Sequence, residues 1–91
     1  MDIKGNVSQI IKLVGGKENV NSATHCVTRL RIILNDKKLV NVKELEKLEI
    51  VKGFFDSSGQ FQIIIGPGLV EKVYKEFVVQ TGAKEVSREE V

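Results

Sequence analysis

At 91 residues the chain has room for one domain with a single core and not for two. An apolar fraction of 42% and a charged fraction of 29% exclude a disordered or fibrous chain. A net charge of +2 is too small to argue nucleic-acid binding from bulk charge, so any electrostatic function must come from local placement.

Asp2 to Val14 carries Ile3, Val7, Ile10, Ile11 and Val14 at helical spacing, and Gly15-Gly16 ends the run, which predicts a first helix. From Val20 the pattern becomes alternating, with Val20, Ser22 and Thr24 on one side and Asn21, Ala23 and His25 on the other, a short and rather polar strand. "TRLRIIL" follows, with Leu30, Ile32 and Leu34 on one face and Arg29, Arg31 and Ile33 on the other, so a hairpin turns near Cys26. Asn35 to Lys38 is turn chemistry. "NVKELEKL" then reads as a short helix capped by Asn41 with Glu44 three residues on, its buried stripe formed by Val42, Leu45 and Leu48. "IVKGFFD" (Ile50 to Asp56) and "QFQIIIG" (Gln60 to Gly66), joined by "SSG", make the clearest hairpin. Gly66-Pro67-Gly68 breaks the last strand, and Val70, Val73, Tyr74, Phe77 and Val78 mark a third helix that stops at Gly82. The remainder, Ala83 to Val91, is charged and weakly apolar and reads as a tail or linker.

The order αββαββα predicts an α+β open-faced sandwich: a four-stranded antiparallel sheet covered on one face by three helices. No run approaches the roughly 18 to 20 continuous apolar residues that cross a bilayer. The opening "MDIKGNV" lacks the apolar stretch of a secretory signal, and one cysteine cannot build a disulfide framework, so a cytoplasmic setting is expected.

Little else in the chain offers chemistry outside "THCVTRLR", Thr24 to Arg31. His25 and Cys26 are adjacent and have no second ligand cluster, so no metal is expected. A Ser-His-Asp arrangement is poorly supported, and neither glycine cluster has the spacing of a phosphate loop, which leaves both as helix punctuation. For Cys26 the general prior favours a buried structural thiol by roughly three to one. Against it stands its position at a strand junction beside two guanidinium groups, the setting that lowers a thiol pKa. Arg29 and Arg31 suit forked recognition of phosphate or carboxylate, or else form a solvated strand face. The spacing from cysteine to arginine does not fit Cys-x5-Arg phosphatases, whose loop leads into a helix and not a strand.

"GGKENVNSATHCVTRLRIILND" followed by "VKGFFDSSGQFQIIIG" resembles the enzyme IIB domain of the glucose, sucrose and β-glucoside superfamily of the phosphoenolpyruvate-dependent sugar phosphotransferase system. The resemblance covers about Ile3 to Thr81. It implies a phosphotransfer domain over residues 1–82, with 83–91 leading towards a membrane IIC domain at the inner face of the bacterial cell membrane. It further implies that Cys26 accepts a phosphoryl group from a phosphohistidine of IIA and passes it to a sugar held by IIC, a protein-phosphocysteine sugar phosphotransferase with no cofactor. Arg29 and Arg31 match the family's arginines and assist the transfer. Thr28 and, where the turn curls into a nest, the backbone N–H groups of residues 27 to 29, that of Val27 included, are expected to bind phosphate, and His25 is either a further donor or a residue facing away. Gln60 and Gln62 border the site or are simply polar strand positions. "HC" before "TRLR" looks more like the sucrose, trehalose and β-glucoside branch than the glucose branch. The isolated domain is expected to be monomeric and the complete transporter dimeric.

Two rivals use the same residues. A basic hairpin could bind an acidic partner or RNA with Cys26 incidental, although Phe54, Phe55, Phe61, Phe77 and Tyr74 show no stacking motif and no nucleic-acid partner is expected. A redox sensor would need a resolving cysteine, and the chain has one cysteine only.

Overall fold

The computed structural model describes residues 2–57 and 59–85. The first helix, α1 (Ile3–Leu13), starts where the Asp2 carboxylate accepts the Gly5 N–H at 3.0 Å, satisfying one of the donors that a helix start leaves unpaired. Val7, Ile10 and Ile11 form its buried stripe. The chain leaves α1 through Gly15, which has φ 107°; a Cβ there would lie 2.7 Å from Asn19 Nδ2 and 2.9 Å from Leu39 Cβ, so only glycine fits.

A hairpin of β1 (Val20–His25) and β2 (Arg29–Leu34) follows, then α2 (Val42–Glu46). A second hairpin, β3 (Gly53–Ser57) and β4 (Gln60–Ile64), leads into α3 (Val70–Thr81), which packs against α1. The Asn41 side chain accepts the Glu44 N–H at 3.3 Å, as the cap pattern predicts. Helix α2 has only five residues and one fully buried side chain, Leu45, so Val42, expected in the buried stripe, is exposed instead.

Strand order is β3-β4-β2-β1-β5, where β5 is Lys84–Glu85. The first four strands pair antiparallel and β5 pairs parallel to β1. The expectation of four strands, all antiparallel, is therefore corrected to a mixed five-stranded sheet. A two-residue strand is too short for an alternating pattern, and its charged side chains carry no apolar signal, so backbone pairing alone reveals it. The rest of the expected tail, 86–91, lies outside the described residues.

Strict alternation also fails within β1. The register shifts between Val20 and Ser22, a bulge that inserts the exposed Asn21. Val20 and Ala23 consequently join the core, while Ser22 and Thr24 sit on the opposite face with Ile33 and Arg31. On the inner face Ala23, Leu30, Ile32, Leu34, Phe61 and Ile63 meet Val7, Ile10, Val14, Leu45, Val73 and Phe77 in one core. The helices thus cover one side of the sheet. The other side carries the polar members of each strand.

Asn19 ties the far end of the first hairpin to α1. Its Nδ2 donates to the Val14 and Asp36 carbonyls, each at 2.8 Å, and its Oδ1 accepts the Asp36 N–H at 2.8 Å. The residue is 4% exposed, so water cannot replace these bonds. Asn19→Ala is expected to cost about 2–3 kcal/mol, read as a lowered urea midpoint at unchanged slope. Asn19→Asp, which loses both donations, should fall by a similar amount.

Candidate functional site

Cys26 ends the first strand and opens the turn into the second. The turn is closed by the Cys26 N–H, which donates to the Arg29 carbonyl at 2.9 Å. From outside, the N–H groups of Ile65 and Gly66 both donate to the Thr28 carbonyl, at 2.8 and 3.1 Å. Gly66 adopts φ 113° there, a conformation that side-chain-bearing residues rarely take. The "GPG" stretch, expected only to punctuate a helix, therefore also anchors the turn. Held this way, the Thr28 and Arg29 N–H groups face the Cys26 sulfur as a small nest that favours its anionic form.

Partial burial pushes the Cys26 thiol up, but the Thr28 and Arg29 N–H bonds, followed by the charge and hydrogen bond of Arg31, outweigh it. The net effect is a pKa below the ordinary thiol value.

Register explains which arginine reaches the sulfur. Thr24 is the direct partner of Arg31, and Cys26 lies two residues beyond Thr24, the diagonal position a long side chain can span. Arg29 leans the other way. It pairs with Ile64 on β4, and its Nη1 donates to Oε1 of the diagonal neighbour Gln62 at 2.8 Å. Its guanidinium carbon also lies 5.0 Å from the centre of the Phe55 ring. The sequence set both arginines beside the cysteine; the fold brings Arg31 to the sulfur and draws Arg29 towards β4 and β3.

The remaining expected site residues separate by face. Val27 stands at the turn tip, 67% exposed, and Thr28 contributes its backbone N–H and carbonyl. His25 pairs with Leu30 and so faces the helices; its ring lies 4.6 Å from that of Tyr74, and its Nδ1 lies 3.0 Å from the Cys26 carbonyl oxygen. Tyr74 in turn donates to Glu85 Oε1 at 2.8 Å, so β5, α3 and the turn are linked through one stack. Burial, then the bond and charge of Glu85, push the Tyr74 hydroxyl up to about 12.

Paired residues of a sheet share a face, so Arg31, Gln62 and Phe55 line up on the open side, with Lys84 beside Ser22 at the β5 edge. The strand carboxylates, Asp56 and Glu85, pair with Phe61 and Ala23 and belong to the helix side. Gln62 Nε2 donates to Gln60 Oε1 at 3.0 Å. Among the described residues, the buried side-chain polar atoms without a partner are Arg31 Nε and Gln60 Nε2, both donors on this face. The sequence leaves Gln60 and Gln62 either at the border of the site or as plain strand residues; their spacing of two, shared with Arg29 and Arg31, is the signal that sets all four on one face. Phe55 alone of the strand phenylalanines lies on the open face, since Phe54 and Phe61 stack within the core side at 5.6 Å.

A cavity of about 280 Å³ opens beside the thiol, lined by His25, Cys26, Val27, Pro67, Gly68 and the first turn of α3. A second cavity, about 410 Å³, is lined by Glu46, Lys52 and Phe54 among others and contains none of the expected site residues. Among the described residues no group of three or more His, Cys, Asp or Glu side chains is placed to hold a metal ion, and no helix is long and apolar enough to cross a membrane.

The fold and the turn define a small α+β domain built around one exposed-side thiol with fixed donors. The sequence matches the family described as "phosphotransferase system, EIIB" over residues 8–41, which include Cys26, Arg29 and Arg31. The structure is similar to the crystal structure of one domain of the PTS system IIabc component from Clostridium difficile, with a TM-score of 0.84 and 44% identity, covering 94% of this chain and 88% of that one. The chain is 47% identical over 90 residues to the trehalose-specific EIIBC component of Bacillus subtilis (strain 168) and, to the same degree, to the sucrose-specific EIIBC component of that organism. Each match covers 99% of this chain and 19% of the relative, so the chain spans about a fifth of the length of these curated relatives. The chain belongs to the EIIB family of the phosphotransferase system.

Two titrations check the electrostatics. Alkylation of Cys26 should rise with pH about a midpoint lower than that of the urea-unfolded chain, and Arg31→Gln should move the midpoint up; equal midpoints in folded and unfolded chains would contradict the nest. Because the folded pKa is lowered, the thiolate's contribution to stability is fully present above the unfolded pKa and is lost as pH falls through the folded one. Tyr74 is the sole tyrosine and there is no tryptophan, so its ionisation can be followed by absorbance. It should titrate near 12, and Glu85→Gln should bring it down towards the usual tyrosine value.

Proposed function

We propose that the chain is a phosphocarrier in which Cys26 receives a phosphoryl group from a phosphohistidine of a IIA partner and passes it to a sugar hydroxyl held by a membrane IIC partner. The observation that carries this reading is the turn itself: one thiol with a lowered pKa, met by two fixed N–H donors and the Arg31 guanidinium. In the first step the thiolate attacks phosphorus, an S–P bond forms and the P–N bond breaks with its electron pair going to nitrogen, and the ring, protonated on its other nitrogen, departs as neutral imidazole. In the second the sugar oxygen attacks, the O–P bond forms, and the S–P bond breaks to restore the thiolate while the hydroxyl proton is released.

Phosphoryl transfer proceeds through a loose transition state whose charge spreads over three oxygens, so the protein's task is positioning and charge stabilisation. The Thr28 and Arg29 N–H groups and Arg31 supply donors that need no rearrangement. Arg29 assists from its place on the open face. Val27 contributes through its turn position, and His25 supports the turn from behind. The positive end of α3 borders the cavity beside the thiol, where the Glu71 carboxylate of the same turn offsets it.

In this reading residues 1–82 are the phosphotransfer domain and 83–91 lead towards IIC, which places the domain on the cytoplasmic side of the membrane. The domain acts as a monomer within a dimeric transporter and uses no cofactor. Equal identity to trehalose-specific and sucrose-specific relatives supports placement in that branch, and in this reading the choice of sugar rests with IIC.

Incubation with phosphoenolpyruvate and the upstream transfer proteins should add one alkali-stable, iodine-labile phosphoryl group per chain. Cys26→Ser should abolish the label; a label that survives this change would overturn the assignment.

A further inference from the structure

Arginine has only donors, and that fixes the polarity of everything it touches. Because Arg29 Nη1 donates at 2.8 Å, Gln62 must present its carbonyl oxygen to it and turn its NH₂ the other way. That NH₂ donates to Gln60 Oε1 at 3.0 Å, so Gln60 is oriented in turn, and its own NH₂ ends the relay buried and without a partner among the described residues. Both glutamines are 8% exposed, which makes a broken amide bond costly and the relay rigid. On its other flank the Arg29 guanidinium rests on Phe55. An exposed strand arginine would sample many rotamers; this one is held by an amide and a ring at once.

The geometry points to Gln62, backed by Gln60, as a positioning residue that fixes the Arg29 guanidinium on the open face of the sheet, apart from the Cys26 thiol, for use in phosphoryl transfer. The inference rests on the phosphocarrier reading for its consequence, though not for its geometry. Gln62 touches neither the sulfur nor a reacting atom in this arrangement. It acts through Arg29, so its loss should resemble the loss of Arg29's position and not the loss of a charge.

The test has a spectroscopic and a kinetic arm, both on the whole chain. In the wild type the Arg29 Nη protons should give separate NMR signals because rotation of the guanidinium is hindered; in Gln62→Leu they should merge. Phosphoryl transfer through Cys26, measured separately for acceptance and donation, should slow in at least one step by roughly tenfold to a hundredfold in Gln62→Leu, the scale expected for a misplaced group. Gln62→Glu keeps an acceptor for Arg29 and should restore the rate to within about threefold. In an Arg29→Lys background, adding Gln62→Leu should change the rate by less than about twofold, because the two residues act as one unit. Wild-type rates in a folded Gln62→Leu, or full additivity with Arg29→Lys, would overturn the proposal. If Gln62→Leu does not fold, the wild-type spectrum decides, and a freely rotating Arg29 guanidinium overturns it. If the wild type accepts no phosphoryl group, the phosphocarrier reading falls, and the NMR arm alone decides the relay.

Discussion

The Thr28 carbonyl is the fixed point on which the site depends. It accepts two N–H groups from the end of β4, at Ile65 and Gly66, while the Cys26 N–H closes the same turn onto Arg29. Each bond is worth only about 1 kcal/mol net, but together they remove the freedom a three-residue turn would otherwise have. The strands on either side lie inside the sheet, β1 between β2 and β5, β2 between β1 and β4, so the turn has a paired base. The Thr28 and Arg29 N–H groups are thereby held at the Cys26 sulfur without further ordering.

From this anchor the rest of the site follows by sheet geometry. Same-face positions two apart place Thr24, Cys26, Arg29 and Arg31 on one surface, and diagonal reach sends the two arginines in opposite directions. The bulge at Asn21 allows this face to be polar while Val20 and Ala23 still reach the core. Without it, the strand would have to bury Ser22 and Thr24 against the helices or expose Val20. The core and the chemical surface are thus made compatible by one inserted residue.

Features encoded as periodicity were legible in the sequence. The stripes of α1 and α3, the Asn41 cap, both hairpins and the cysteine-to-arginine block each repeat a pattern with a known physical cause. What escaped notice depends on tertiary partners. Asn19 is one polar residue among several until its three bonds to Val14 and Asp36 are seen. Lys84 and Glu85 form a strand only because β1 offers an unpaired edge. The separation of Arg29 from Arg31 could not be read from parity, since both lie on one face. It is set by what stands on the diagonals, a sulfur for one and a carboxamide for the other.

That separation bears on how a thiolate can be both formed and useful. Lowering a thiol pKa raises the thiolate fraction but reduces the nucleophilicity of each thiolate, so the two effects oppose one another. Here burial pushes the pKa up while two backbone N–H groups and a single guanidinium push it down. Two guanidinium groups converging on the sulfur would shift the balance further, stabilising the thiolate at the expense of its nucleophilicity. The Gln62 carbonyl and the Phe55 ring occupy Arg29 elsewhere, which keeps the second positive charge on the face without spending it on the sulfur. Two arginines at positions two apart are therefore not duplicates. One lowers the pKa of the thiol, and the other is drawn towards the next strand by an amide whose orientation the arginine itself dictates.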